Sequence, residues 1–321
     1  MGKIIADKNI EFITEFTFED PDVFLNSIVY GGKLYEHFIN TGAYIFRGQE
    51  SAHYKLIPSV LRDNMPEIRH THFRETKYAT TDREQLAFEF DILREFYFKC
   101  DECGLYLPDN KRFRSGQFSF DDCGTITTDG EWLPEDLYDI AALAQHYGLP
   151  TRLLDWTYDI NVAIYFAILG LIKKQTFDGD DYISIWCMNA SMNAWGSIEV
   201  ALPDFPLRLI RPIYKYNPNM RAQKGLFSLW KIQYKANSHL EKDCRPLDEL
   251  IDSFFETKEE RFKNMFLYMP FLTCFKIRQN KENISRLYKF IKTNNTNSST
   301  LFPGYAGVVD FLKYDRLHEY L

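Results

Sequence analysis

The sequence predicts an α+β fold, a mixed or mostly antiparallel sheet with helices packed on it. Three observations carry that expectation. Apolar residues recur at three- and four-residue steps in 82–100, 134–147, 160–172 and 281–292, the spacing of a helix with a buried face. Apolar runs of strand length, punctuated by glycine, proline or acidic residues, lie at 43–46, 151–157, 182–188, 209–214 and 272–277. The polar residues suited to chemistry sit beside such runs, spread from Arg47 to Gln223 yet mutually dependent, which argues for a single domain over 1–321 rather than two.

Composition narrows the function classes. With 321 residues, 45% of them hydrophobic and 16% aromatic, the chain can bury a sizeable core. Its net charge of -7 provides no global positive field to draw it onto nucleic acid or an anionic membrane. The longest apolar run, 162–172, is too short to span a bilayer. Residues 1–7 lack the apolar core of a signal peptide, and six cysteines are sparse for a disulfide scaffold. A soluble, cytoplasmic protein with no membrane partner is expected.

In chain order, 12–38 carries the apolar marks of helices, with Asp20-Pro21-Asp22 as a start signal, so a helical segment is expected over about 1–42. A buried strand from Ala43 then leads through Phe46 into Arg47, Gly48 and Gln49. Gly48 removes bulk beside the arginine, so that a ligand or another backbone can approach. Residues 51–81 read as polar loop, and Asp82 as the cap of the helix that follows. A loop-rich insertion is expected at about 101–130.

Pro134 suits the first turn of a second helix, which Gly148 ends and Pro150 keeps from resuming, leaving Gln145 and His146 in its last turn. Alternation in the next strand sets Thr151, Leu153, Asp155 and Thr157 on one face, with Arg152, Leu154 and Trp156 on the other. Asp159 caps the helix from Ile160. If 221–227 is extended, it shows Arg221, Gln223, Gly225 and Phe227 on one face. A helix is expected at 246–255, and a polar linker at 294–300.

Four stretches then fall into a pattern: Phe46-Arg47-Gly48-Gln49; His146 through Thr157 with Ala163 and Tyr165-Phe166-Ala167; Arg221 with Gln223 through Phe227; and Leu301-Phe302-Pro303-Gly304-Tyr305-Ala306-Gly307. Together they resemble the FRG domain family from about residue 43 to 310, and the stretch between Cys100 and Gly130 reads as elaboration within the domain.

More distantly, the order of motifs is similar to that of ADP-ribosyltransferases. On that resemblance Arg47 matches the first-strand arginine, Thr151 or Thr157 the second-motif hydroxyls, Phe166 the aromatic of the following helix and Gln223 a residue of the third motif. Gly225 stands where such enzymes place a catalytic glutamate, so the acid would come from elsewhere, with Asp155 or Glu50 as candidates. The resemblance implies NAD as co-substrate, ADP-ribose transfer or NAD hydrolysis as the reaction, and a protein or nucleic acid as acceptor. It further implies a toxin or anti-phage defence effector, with an antitoxin or immunity protein as partner.

The chemistry suits that reading. An arginine fork holds phosphate oxygens bidentately, while hydroxyl and amide groups hold ribose. Breaking the nicotinamide–ribose bond develops positive charge on the sugar, which a fixed carboxylate stabilises. The catalytic candidates are therefore Arg47, Asp155 and Gln223. The binding candidates are Phe46, Gly48, Gln49, His146, Tyr147, Thr151, Arg152, Thr157, Arg221 and Phe227, with Tyr147, Trp156 or Phe227 available to stack on a base.

Plainer readings stand beside these. Arg47 can pair with Asp155 inside the fold, and Arg152 can tie strand to helix. His146 can serve the end of its helix, Gln223 can be a hydrogen-bonding core residue, and Phe166 can be packing. Cys100 and Cys103 have the spacing of half a zinc site, but only Cys123, His70 and His72 could complete it, and no metal is expected. The competing function is a catalytically inactive module that recognises a nucleotide, nucleic acid or protein with the same pocket.

Overall fold

A computed structural model describes residues 5–10, 13–63, 79–115, 130–215, 217–235, 240–258 and 270–315. The strands are β1 (Ile5–Ile10), β2 (Ile13–Phe18), β3 (Tyr44–Gln49), β4 (Gly130–Trp132), β5 (Leu153–Thr157), β6 (Tyr182–Asn189), β7 (Leu207–Ile210), β8 (Gly225–Trp230), β9 (Ile232–Tyr234) and β10 (Leu272–Arg278). Eight of them form one sheet in the order β1-β2-β10-β6-β3-β5-β8-β7, and β4 pairs with β9 separately. Neighbours in the large sheet run antiparallel except β2 and β10, which are parallel. The expected α+β architecture with a mixed, mostly antiparallel sheet is what the chain adopts.

The helices are α1 (Pro21–Ile28), α2 (Asp82–Glu102), α3 (Lys111–Ser115), α4 (Tyr138–His146), α5 (Ile160–Lys174), α6 (Met192–Ala201), α7 (Pro218–Ala222), α8 (Leu247–Glu256), α9 (Lys281–Thr293), α10 (Ser298–Leu301) and α11 (Tyr305–Asp310). Strand alternation assigns them to faces. Ile45, Trp186, Met188, Leu154 and Trp156 point to one face, against Ile198 of α6, Leu202 just after it, and Ile251 and Phe255 of α8. The other face carries two groups of helices. Phe46, Ile183, Ile185 and Phe275 are covered by α5, α1 and α9. Leu153, Phe227, Leu229 and Ile210 are covered by α2 and α4. The two groups meet over the junction of β3 and β5.

Helix ends follow their local chemistry. Asp20 accepts a hydrogen bond from the Asp22 amide at 2.9 Å, with Pro21 in the first turn of α1. Thr81, not Asp82, caps α2, because Thr81 and Glu84 close a reciprocal capping box and Asp82 becomes the first helical residue. At the end of α4, Gly148 takes φ +91, its amide bonds to the Gln145 carbonyl and that of Leu149 to the Ala144 carbonyl. This pairing ends the helix and fixes where the next strand begins.

Several expectations are corrected. The segment ahead of Asp20 is not helical: Ile13–Phe18 is a strand, because the alternating Thr, Glu and Phe side chains suit a ladder between β1 and β10. Residues 221–227 are not one extended run. Asn217 caps α7 by accepting from the Met220 amide, Lys224 takes φ +48, and the strand starts only at Gly225. The polar 294–300 contains α10, capped by Asn297 and Thr300, since short polar side chains satisfy helix ends as well as loops. The strand expected at 209–214 is Leu207–Ile210. Within the expected insertion, 111–115 is helical, while 116–129 lies outside the described residues, as do His70, His72 and Cys123.

Candidate functional site

β3 and β5 are neighbours that barely pair. β3 matches β6 over six residue pairs and β5 matches β8 over five, but β3 and β5 share only Phe46 with Thr157. Beyond that pair the strands part. Over the parting, between α5 on one side and the end of α4 on the other, lies a cavity of about 1060 Å³. Its wall includes Phe46 through Glu50, Gln145 and His146, Asp155 through Thr157, Phe166, Gln223, Gly225 through Phe227, and Phe302. All four stretches singled out in the sequence meet there.

Arg47 sits in the parting. Its Nη1 donates to the Asp155 backbone carbonyl at 2.8 Å, taking the place of a ladder partner that the divergent strand cannot supply. The same nitrogen is 3.6 Å from Asp155 Oδ2. The Arg47 side chain is 14% exposed and that of Asp155 57%, so the carboxylate faces the cavity while the guanidinium is recessed. Arg47 Nε is buried without a partner among the described residues. Burial pulls the guanidinium below its ordinary value, and the Asp155 charge opposes that pull.

Asp155 is also gripped from α4. Gln145 Nε2 donates to Asp155 Oδ2 at 3.0 Å, while Gln145 Oε1 accepts from the Thr151 hydroxyl at 2.8 Å and from Ser59 Oγ at 3.4 Å. The Thr151 hydroxyl at the oxygen fixes the amide so that its NH₂ group points at the carboxylate. His146 lines the same wall. Burial holds its imidazole below the ordinary histidine range, and Asp155 partly opposes the effect.

Other predicted residues take structural positions on or near the wall. A Cβ at Gly48 would lie 1.8 Å from the Ala163 carbonyl oxygen, so of the two roles offered for this glycine, close approach of a backbone is the one realised, by α5. Gln49 Oε1 accepts from Trp186 Nε1 at 2.9 Å and its amide donates to the Lys55 carbonyl at 3.4 Å. Thr157 Oγ1 donates to the Gln223 carbonyl at 2.7 Å, and Gln223 Nε2 donates to the Leu301 carbonyl at 3.2 Å. Phe46 and Phe227 present edges to the cavity from within the core.

Four candidates do not line this cavity. Arg152 is 5% exposed and pairs with Glu89 of α2, at 2.8 Å from Nη2 to Oε1, from the position just ahead of β5. Thr151 is spent on Gln145 and on the Leu153 amide. Tyr147 is exposed at the end of α4, just ahead of Gly148, and borders a separate cavity of about 480 Å³. Arg221 lies at the exposed end of α7, away from the strand face that an extended reading gave it.

A family model described as FRG domain matches residues 122–176, which span α4, β5 and all of α5 and so include part of the cavity's wall. Over these residues the chain is similar to the FRG domain. No curated protein and no solved structure matches the sequence.

The cavity has members that the sequence did not single out. Lys55, Arg62 and Asp63 come from the loop after β3, which crosses the parting and is tied to β5 by the Val60 amide on the Thr151 carbonyl. A loop without periodicity gives no signal of where it will lie. Lys174, at the end of α5, pairs with Glu50 at 3.0 Å. Met220 sets its Sδ 2.6 Å from where a Cβ on Gly225 would be, filling the space that a side chain at that position would need. Among the described residues no three His, Cys, Asp or Glu side chains are grouped to hold a metal, and no helix is long and apolar enough to cross a membrane.

Proposed function

We propose that this FRG domain protein is an NAD-using enzyme of ADP-ribosyltransferase type, transferring ADP-ribose or hydrolysing NAD. The observation that supports the reading is the pairing, in one large cavity, of a recessed guanidinium with a forward carboxylate: Arg47 and Asp155. Arg47 would hold phosphate oxygens. Asp155, aimed by Gln145, would stabilise the positive charge that develops on the ribose as the nicotinamide leaves. Gln223 and Thr157 would shape the wall rather than touch the reacting atoms, since their hydrogen bonds are made within the fold. His146, held neutral by burial, would offer a hydrogen bond to a ribose hydroxyl or to the acceptor. A role as a toxin or anti-phage effector, restrained by an antitoxin or immunity protein, belongs to the same proposal.

The experiment is incubation of purified protein with NAD, following nicotinamide release and mass shifts of added protein or nucleic acid. Wild type should turn over NAD, while Arg47→Ala and Asp155→Asn should not, each with a thermal melt to verify folding. A folded wild type that releases no nicotinamide defeats the enzyme reading.

One observation favours the second reading, a binding module without chemistry. Met220 occupies the space beside Gly225 where the third-motif acid would project. Saturable nucleotide binding without turnover would be the outcome on that side.

A further inference from the structure

We propose that Arg47 and Arg62 together form a diphosphate-binding clamp across the mouth of the cavity. The inference rests on the nucleotide reading above and adds a residue that no motif contains. Both side chains line the cavity, Arg47 from the end of β3 and Arg62 from the loop that crosses the parting. Arg62 is anchored through one nitrogen only: its Nε donates to the Ile57 carbonyl at 2.8 Å. That bond orients the guanidinium plane and leaves its two terminal nitrogens for a ligand, and Arg62 makes no ion pair among the described residues. Arg47 brings its own unpartnered Nε.

Two like charges on one cavity wall repel, and here the repulsion is felt: the Arg62 charge adds to the burial that pulls Arg47 down. The other cations of the wall are already engaged, Lys55 with Glu249 and Lys174 with Glu50. Asp155 offsets one of the two guanidinium charges, and Asp63 also borders the cavity. The carboxylates thus offset most of the guanidinium charge, and the preference is one of geometry: a single carboxylate or phosphoryl group offers its oxygens at one point and serves one fork. A diphosphate presents two adjacent phosphoryl groups, one for each fork, with charge-assisted bonds to both.

The test is calorimetric titration with inorganic pyrophosphate, ADP-ribose and a single-stranded oligonucleotide, on wild type, Arg62→Ala and Arg62→Lys. Wild type should bind pyrophosphate, and binding should weaken about tenfold or more in Arg62→Ala, with a smaller loss in Arg62→Lys, which keeps the charge without the fork. ADP-ribose should show the same order. Melts of each variant separate loss of the Ile57 bond from loss of the ligand. Pyrophosphate binding unchanged in a folded Arg62→Ala overturns the clamp, as does wild type that ignores pyrophosphate. Arg62-dependent binding of the oligonucleotide alone also overturns it, in favour of a nucleic-acid backbone. The enzyme reading is tested apart from this, because a clamp that binds pyrophosphate without NAD turnover leaves the clamp standing and the chemistry refuted.

Discussion

Replacing Arg152 with methionine should destabilise the protein without touching the cavity. Arg152 is 5% exposed and Glu89 4%, and three hydrogen bonds join them: Nε to both carboxylate oxygens at 3.1 and 2.9 Å, Nη2 to Oε1 at 2.8 Å. The same carboxylate accepts from Trp132 Nε1 at 2.6 Å and Gln85 Nε2 at 2.9 Å. In the variant those two neutral donors remain, but the buried charge has lost its counter-ion, a change that costs about 3–5 kcal/mol. With an unfolding entropy of about 2.1 cal/mol/K per residue over 321 residues, a loss of about 4 kcal/mol lowers Tm by about 6 °C. Guanidinium melts measure the loss. A loss below about 1 kcal/mol, or lost nucleotide binding at unchanged stability, would return Arg152 to the site and refute the structural assignment.

The other predictions concern the cavity itself. Gly48→Ala puts a methyl 1.8 Å from the Ala163 carbonyl oxygen and 2.8 Å from the Ala167 amide nitrogen, so α5 must lift from β3; a loss of about 1–3 kcal/mol or more is expected in thermal melts, and an unchanged Tm would contradict the packing. Gln145→Glu sets a second carboxylate beside Asp155, which should move the acid limb of the pH–rate profile upward, whereas Gln145→Leu should lower turnover about tenfold; an unmoved profile in both removes Gln145 from any positioning role. The His146 ring should titrate by NMR below the ordinary histidine value because of burial, and lower still in Asp155→Asn, where the opposing charge is gone. Since its folded-state value is depressed, the stability linked to His146 is present above the unfolded-state value near 6.5 and is lost as pH falls toward the folded one; a midpoint at or above 6.5 would refute this.

What could be read in advance was whatever leaves a local mark. The helices α2, α4, α5 and α9 repeat apolar residues at helical spacing, and Gly148 and Pro150 punctuate α4 where the chain turns. The partners of polar side chains left no such mark. Arg152 and Asp155 sit three residues apart in one motif, yet one is buried against α2 and the other faces the cavity. Alternation set them on opposite faces, but it did not show that Arg152 reaches α2, the helix that also covers Leu153, because Arg152 precedes the first paired residue of β5 and is not bound by its period. Arg62 was invisible for a similar reason, lying in a loop placed by Val60 and Ser59 bonds to residue 151. The stretch ahead of Asp20 misled because Thr and Phe at alternate positions serve a ladder only when partners exist, and β10 comes more than 250 residues later, whereas the Asp20-Pro21 start signal did open α1.

The parting of β3 from β5 explains why the motif residues are both structural and available. A sheet that separates leaves backbone groups unpaired, and a buried carbonyl must find another donor. Arg47 is that donor for Asp155, so its position is enforced by the fold whether or not a ligand is present. The same bond draws Asp155 toward the guanidinium, while Gln145 holds the carboxylate oxygen from the opposite side. Selection for folding and selection for a site therefore act on the same atoms. Arg47→Lys would test the division between them: a lysine keeps one donor for the carbonyl but loses the fork, so stability should be largely retained while phosphate affinity falls. Equal loss of both would mean that the guanidinium serves the sheet alone.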